Sequence, residues 1–143
     1  MTRAVMLAGG LAAAAALAGC GGGGSKAAAP EGAAVAAGCG GAAVRSLPAA
    51  FPARLPLPDG YRLGSLTHEH GYAVATGSAA GTLQGVRDFY ERALPKQGFA
   101  LGEGDAEEHE AETDFDGNGV GGHLRLRDGG GGCVNVQLAV KHG

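Results

Sequence analysis

Between about Thr82 and Gln97, large apolar residues recur every three or four positions, and charged residues fall mostly between them. The apolar positions are Leu83, Val86, Phe89, Tyr90, Ala93 and Leu94. Thr82 is a suitable N-cap, and Gly98 is suited to the C-terminal cap. This pattern predicts an amphipathic helix with one apolar stripe.

Alternation of apolar and polar residues predicts strands on either side of this helix. It is clearest near the C-terminus, where valines and Leu138 alternate with Asn135 and Gln137. The predicted strands are Tyr61 to His70, Tyr72 to Gly77, Phe99 to Leu101 continued after a break by Glu107 to Phe115, Gly122 to Arg127, and Cys133 to Lys141. The order β-β-α-β-β-β is typical of an α+β fold with one helix packed on a twisted antiparallel sheet.

Composition limits the size of that fold. Of the 143 residues, 29 are Gly, only 5% are aromatic, and much of the hydrophobic fraction is Ala in the first fifty positions. Because Ala buries little area, we expect a small core within one domain covering residues 47–143. A core of that size gains much from a covalent crosslink.

The N-terminus has the three-part layout of a secretory signal peptide. Arg3 supplies a positive charge, Ala4 to Leu17 is apolar and uncharged, and the small residues Ala18 and Gly19 follow. The apolar run is shorter than the ~20 residues of a membrane-spanning helix. We therefore expect residues 1–19 to be a signal peptide.

The sequence Leu17-Ala18-Gly19-Cys20 resembles the lipobox of bacterial lipoproteins, Leu-[Ala/Ser]-[Gly/Ala]-Cys, at all four positions. In that family the Cys thiol receives a diacylglyceryl group, and a peptidase then cuts the chain before the Cys. The resemblance implies that Cys20 becomes the first residue of the mature protein. Its acyl chains would anchor the protein in membrane lipid, facing the extracytoplasmic side of the cell envelope.

Residues 20–46 form a low-complexity segment rich in Gly and Ala. Such a segment cannot bury enough apolar area to offset the entropy of ordering, so we predict a flexible linker between the lipid and the domain. The same Ala and Gly richness is typical of a GC-rich genome, such as those of actinobacteria.

The domain resembles small bacterial lipoproteins in which a Val-x-x-Phe-Tyr helix is followed by Gly-aromatic and a β meander. The residues that match are Val86, Phe89, Tyr90, Gly98 and Phe99. These are packing residues, so the resemblance implies a fold and a location but no active site.

The chain contains three cysteines. If Cys20 carries the lipid, Cys39 and Cys133 remain, and export to an oxidising compartment favours a disulfide between them. The alternative is a metal-binding or redox pair. The sequence has no Cys-x-x-Cys spacing that would favour it.

Asp114, Asp116 and Asn118 match the start of an EF-hand calcium loop, in which short oxygen side chains at alternate positions surround a hard cation. The match fails at the twelfth position, where Arg125 stands in place of the bidentate Glu. A tight β-turn rich in Asp, Asn and Gly explains the same residues.

His68 and His70 are two residues apart, so on a strand both imidazoles point to the same side. This spacing occurs in zinc and copper sites. The third ligand would come from elsewhere, such as His109, His123 or a carboxylate. The alternative is two exposed histidines beside a hairpin turn.

Residues 103–116 contain eight carboxylates and no Lys or Arg. Crowded like charges repel, so the segment needs solvent, counterions or a basic partner. One hypothesis is an edge that binds cations or docks a partner. The other is a solvated edge strand whose charge blocks edge-to-edge aggregation.

The formal net charge of -3 and the absence of a Lys/Arg cluster argue against nucleic acid as a partner. No Gly-x-Ser-x-Gly elbow and no other catalytic motif is present, and nothing indicates a cofactor. We therefore expect a non-enzymatic envelope lipoprotein that acts as an interaction or accessory module with an envelope protein. The alternatives are a metal-binding protein that uses His68, His70 and the acidic segment, and a small hydrolase.

Overall fold

The computed structural model describes residues 39–143. Within this range the chain forms one helix and seven strands. In chain order they are β1 (Ala42–Ala43), β2 (Arg62–Glu69), β3 (Tyr72–Ala80), α1 (Leu83–Lys96), β4 (Ala100–Ala106), β5 (Glu110–Gly117), β6 (Val120–Gly130) and β7 (Cys133–His142).

The strands form a single antiparallel sheet in the order β1-β2-β3-β7-β6-β5-β4. The expected α+β fold, with a helix and an antiparallel sheet, is confirmed. β7 lies at the centre, and its apolar residues Val134, Val136, Leu138 and Val140 are at most 1% exposed. We call the side to which they point the helix face and the opposite side the open face.

The helix begins and ends where the sequence predicts. The hydroxyl of Thr82 accepts a hydrogen bond from the backbone N–H of Gly85 at 3.1 Å. At the other end Gly98 has a φ of 85°, and the N–H of Phe99 donates to the carbonyl of Leu94 at 3.1 Å. Gly is favoured there because an L side chain rarely adopts that conformation. Val86, Tyr90 and Leu94 of the predicted stripe are buried.

The segment that precedes β2 covers part of the helix face. The sequence predicts an extended lead-in there, but prolines begin successive turns, and the N–H groups of Phe51 and Leu55 bond to the carbonyls of Pro48 and Pro52. The turns bring Phe51, Leu55 and Tyr61 into the buried core. The lead-in is compact because its large apolar residues pack into the core.

Four strands follow the helix, whereas the sequence predicts three. Residues 99–101 and 107–115 are not two pieces of one broken strand. Residues 100–101 belong to β4 and residues 110–115 to the neighbouring strand β5. The turn that connects these strands is closed by a bond from the Glu107 N–H to the Glu110 carbonyl at 2.7 Å. β4 escapes the pattern because all seven of its residues are exposed, so it has no apolar period.

The predicted disulfide is present. Cys39 and Cys133 are bonded, with 5.7 Å between their Cα atoms. The Ser78 hydroxyl donates to the Gly40 carbonyl at 2.7 Å, and Arg62 Nε donates to the Gly41 carbonyl at 2.9 Å. We call this region, residues 39–43 with the start of β2, the crosslinked end of the sheet.

The predicted domain boundary at Leu47 falls after these contacts, and β1 lies within the residues predicted as linker. The predicted signal peptide, Cys20 and most of the linker lie outside the described residues. In residues 39–143, no helix is long and apolar enough to cross a membrane.

Candidate functional site

The open face carries a ladder of acidic and basic side chains where β5 and β6 pair. Four carboxylates alternate along β5, and the antiparallel register places a basic residue of β6 opposite three of them. The pairs are Glu110 opposite Arg127, Glu112 opposite Arg125, and Asp114 opposite His123. We call these six residues the acid–base ladder. Opposite charges directly across an antiparallel pair stabilise it modestly.

Glu110 is the most heavily bonded member of the ladder. Its carboxylate accepts from Arg125 Nε at 2.5 Å and from Arg127 Nε at 2.9 Å. These two bonds hold the pKa of Glu110 below its usual value of 4.5, and the bond from Arg125 has the larger effect. The bond to Glu110 in turn raises the pKa of Arg125. Because water reaches these groups, each pair adds little to stability by itself.

His123 joins the two other carboxylates of the ladder. Its Nδ1 lies 2.8 Å from Asp114 Oδ1, and its Nε2 lies 3.8 Å from Glu112 Oε2. Three carboxylates of the acidic segment are thus satisfied within the molecule. The sequence contains all six residues, but only the strand register shows that they meet.

The residues of the predicted calcium loop have other roles in the structure. Asp114 pairs with His123, and Asn118 lies in the turn between β5 and β6 with a φ of 52°. The side-chain amide of Asn118 donates to the Gln97 carbonyl at 3.0 Å and so caps the exit from the helix. Asp116 is an exposed residue near the end of β5. The turn is flanked by strands rather than by helices.

The two histidines of the other metal hypothesis do not share a strand. β2 ends at Glu69, and His70 lies in the following turn with a φ of 51°. The prediction that the strand continues through His70 is wrong, because a two-residue turn of His70 and Gly71 reverses the chain. His68 pairs with the buried Ala73 and so lies on the side of the helix face.

One possible third ligand, His123, lines the same surface depression as His70, although His68 lies on the other side of the sheet. His123 belongs to the open face, and His109 lies in the turn between β4 and β5. No group of three or more His, Cys, Asp or Glu residues is arranged to hold a metal ion within residues 39–143.

A cleft of about 310 Å³ separates α1 from β4 and β5 on the helix face. Tyr90, Leu124 and Leu126 give it an apolar floor, and the ion pair between Arg87 and Glu91, 2.7 Å long, lies at its helical side. This volume lies at the small end of the range for ligand-binding clefts. The sequence offers no signal for it, because it forms only when α1 and β4 come together.

A β-bulge shapes the strand side of the cleft. Gly102 and Glu103 of β4 lie opposite Asp114 alone, so that two residues face one. A side chain at Gly104 would collide with the backbone of Glu112, so glycine allows the close approach of β4 and β5 there. Leu101, just before the bulge, lines the cleft and is 37% exposed.

Two tyrosine hydroxyls are buried without a hydrogen-bond partner in the described structure, those of Tyr61 and Tyr90. Burial raises the pKa of Tyr61 to about 12. Burial, and to a lesser extent the nearby Tyr61, raise the pKa of Tyr90 well above its usual value of 10.0. Both phenols therefore keep their protons at neutral pH, and they serve as packing residues of the core.

Comparison of the chain with protein-family models, curated protein sequences and solved structures finds no match in any of the three.

Proposed function

We propose that this protein is a lipid-anchored envelope protein whose domain binds another protein outside the cytoplasm. The disulfide between Cys39 and Cys133 is the observation that carries this proposal. Disulfides form and persist in oxidising compartments, which proteins reach by export. The pairing leaves Cys20, in the lipobox match, as the one cysteine of the sequence available for lipid.

The path of the chain fits the same proposal. Residues 1–19 would act as the signal peptide, and lipidated Cys20 would hold the mature protein at the membrane. The Gly- and Ala-rich linker would then let the domain reach partners near the membrane surface. The disulfide links Cys39, the first described residue, directly to the central strand β7.

The polar groups of the domain favour binding over catalysis. Those of the acid–base ladder are bonded to one another, and the buried tyrosines keep their protons. Neither group supplies a nucleophile held by a base, the arrangement that hydrolysis through a covalent intermediate needs. His68 and His70 do not support the metal-binding alternative, because His68 lies on β2 whereas His70 lies in the hairpin turn that follows.

Lipid labelling in a bacterial host tests the proposal. Cells that make the full chain are grown with an alkyne-bearing fatty acid, and the label on the protein is measured in membrane and soluble fractions. We expect the wild-type chain to be labelled and membrane-bound, and Cys20→Ser to be unlabelled. Cys39→Ser with Cys133→Ser is the control, because it removes the other two cysteines, which form the disulfide, and leaves the lipobox intact.

Two results would contradict the proposal. Label that persists in Cys20→Ser would mean that another group carries the lipid. An unlabelled wild-type chain in cells that lipidate a known lipoprotein would mean that the lipobox match is fortuitous.

A further inference from the structure

We propose that β4 and the adjoining cleft bind an extended, basic segment of the partner protein, which adds to the sheet as a further strand beside β4. This inference rests on the proposed function, since it names the class of partner that the interaction domain recognises. We call this region, β4 with the turn of residues 107–110, the acidic end of the sheet.

The first observation is the open edge of β4. This strand is the last in the sheet and pairs only with β5 among the described strands. All seven of its residues are exposed. An edge strand presents a row of unpaired N–H and C=O groups, which a second extended chain can satisfy. Small residues at Ala100, Gly102, Gly104 and Ala106 leave the backbone of β4 accessible.

The second observation is the cleft beside that edge. Leu101, Gly104 and Asp105 of β4 line it, so it opens next to the position that an added strand would take. Successive side chains of a strand point to opposite faces, so every second side chain of the added segment would point toward α1. The apolar floor of the cleft would accept the aliphatic part of one such side chain.

The third observation fixes the charge of the partner. Three of the four carboxylates of β5 are matched by the acid–base ladder, whereas Glu103, Asp105 and Glu107 of the acidic end have no cationic partner in the described structure. A basic segment would supply the missing charge. The same carboxylates would repel a second copy of β4, which disfavours self-association through this edge.

The opposite edge of the sheet, formed by β1 and β2, does not combine these three features. β1 covers only Arg62 and Leu63 of β2, so the rest of β2 is also exposed at its edge. However, β2 carries a single carboxylate, Glu69, whose Oε1 accepts a bond from the Thr67 hydroxyl at 3.0 Å. The combination of open backbone, adjoining cleft and unmatched carboxylates therefore points to β4.

The test uses the full chain and three synthetic peptides blocked at both ends. The first alternates Arg and Val over eight residues, the second replaces Arg by Glu, and the third is the first with alternate backbone nitrogens methylated. Binding is measured by calorimetry, and its position is measured by amide hydrogen exchange. We expect the first peptide alone to bind and to slow the exchange of β4 amides. Methylation removes the backbone donors that strand addition needs.

Paired protein variants separate specific charge recognition from general attraction. Replacement of Glu103 by Gln and Asp105 by Asn should weaken binding about three- to tenfold, since both carboxylates face the partner. The matched control removes the same charge elsewhere, by Asp59→Asn and Glu69→Gln, and should leave the affinity unchanged.

Several outcomes would overturn the inference. They are no binding of the basic peptide, equal binding of the methylated peptide, equal loss in the control variant, or protection that appears on the open face instead of β4. None of these outcomes alters the lipid labelling of Cys20, so failure of this inference is distinguishable from failure of the proposed anchor.

Discussion

The two ends of the sheet are held in different ways. At the crosslinked end, a disulfide ties Cys39 to the central strand, and Ser78 and Arg62 bond to the backbone that follows Cys39. At the acidic end, β4 is held by its pairing with β5 and by contacts with α1. One end is fastened by covalent and side-chain bonds, whereas the other leaves a strand of exposed backbone.

Under the proposed function, this difference would separate anchoring from partner binding within a small domain. The crosslinked end lies where the chain enters the domain from the proposed membrane anchor. The acidic end lies at the opposite side of the sheet, where a partner would not compete with the anchor for space.

The largest effect is expected from removal of the disulfide. In Cys39→Ser with Cys133→Ser, the free energy of unfolding should fall by about 2–5 kcal/mol, because the crosslink no longer restricts the unfolded chain. Denaturant unfolding of the variant and of the oxidised wild type measures the loss. Equal stability of the two proteins would mean that the crosslinked end is held by its hydrogen bonds alone.

A smaller effect is expected from adding a side chain to Gly122 of β6, which packs against Phe115 of β5. An added methyl group at Gly122 would collide with the ring of Phe115, its cross-strand partner. Gly122→Ala should therefore lower stability by about 1–3 kcal/mol. The neighbouring Gly121 has open space around it, so Gly121→Ala is the matched control and should change stability little. Equal melting midpoints for Gly122→Ala and Gly121→Ala would contradict this packing of Gly122 against Phe115.

The next prediction concerns the buried tyrosines in the core between the two ends. Tyr90→Phe should be neutral or should stabilise the domain by up to about 1 kcal/mol, since it removes a buried hydroxyl that has no partner. Thermal melts measure the change. A loss above about 1 kcal/mol would show that the Tyr90 hydroxyl has a bonding partner in solution.

The pKa values of these tyrosines give the direction of a pH dependence. Because burial raises both above the usual 10.0, the folded state disfavours ionisation. Their contribution is complete below pH 10 and is lost as the pH rises through the folded pKa values, and that of Tyr61 is about 12. Melts above pH 10 should therefore show a steeper loss of stability in the wild type than in Tyr90→Phe. Parallel curves would contradict this expectation.

The smallest effect is expected from Glu110 in the acid–base ladder. Its pKa is lowered on folding, so its contribution is present above about pH 4.5 and is lost as the pH falls through the folded value. Glu110→Gln should lower the melting midpoint slightly at pH 7. At pH 3 the midpoints of the variant and the wild type should lie closer together. Glu69→Gln is the control, and a constant difference at both pH values would contradict the prediction.

Local sequence patterns were sufficient for the elements that bury one face. The helix was predictable because apolar residues repeat with its period and Thr82 and Gly98 cap it. β6 and β7 were predictable because their residues alternate. The disulfide followed from counting the cysteines of a chain that its N-terminal pattern predicts to be exported.

The parts that depend on distant pairing could not be predicted in this way. β4 lacks an apolar face, so its residues resemble a loop. The turn at His70 requires a positive φ, which favours Gly or Asn more than His. The acid–base ladder depends on the register between β5 and β6, and the cleft depends on where α1 packs, so neither leaves a signal in the local pattern.

Amide hydrogen exchange of the full chain, before and after reduction of the disulfide, tests most directly whether the two ends are held differently. In the oxidised protein we expect the amides of Val44 and the start of β2 to be protected and the outward amides of β4 to exchange rapidly. Reduction should speed exchange at the crosslinked end and leave β4 unchanged. Exchange that rises equally at both ends, or β4 amides as protected as those of β7, would contradict the account.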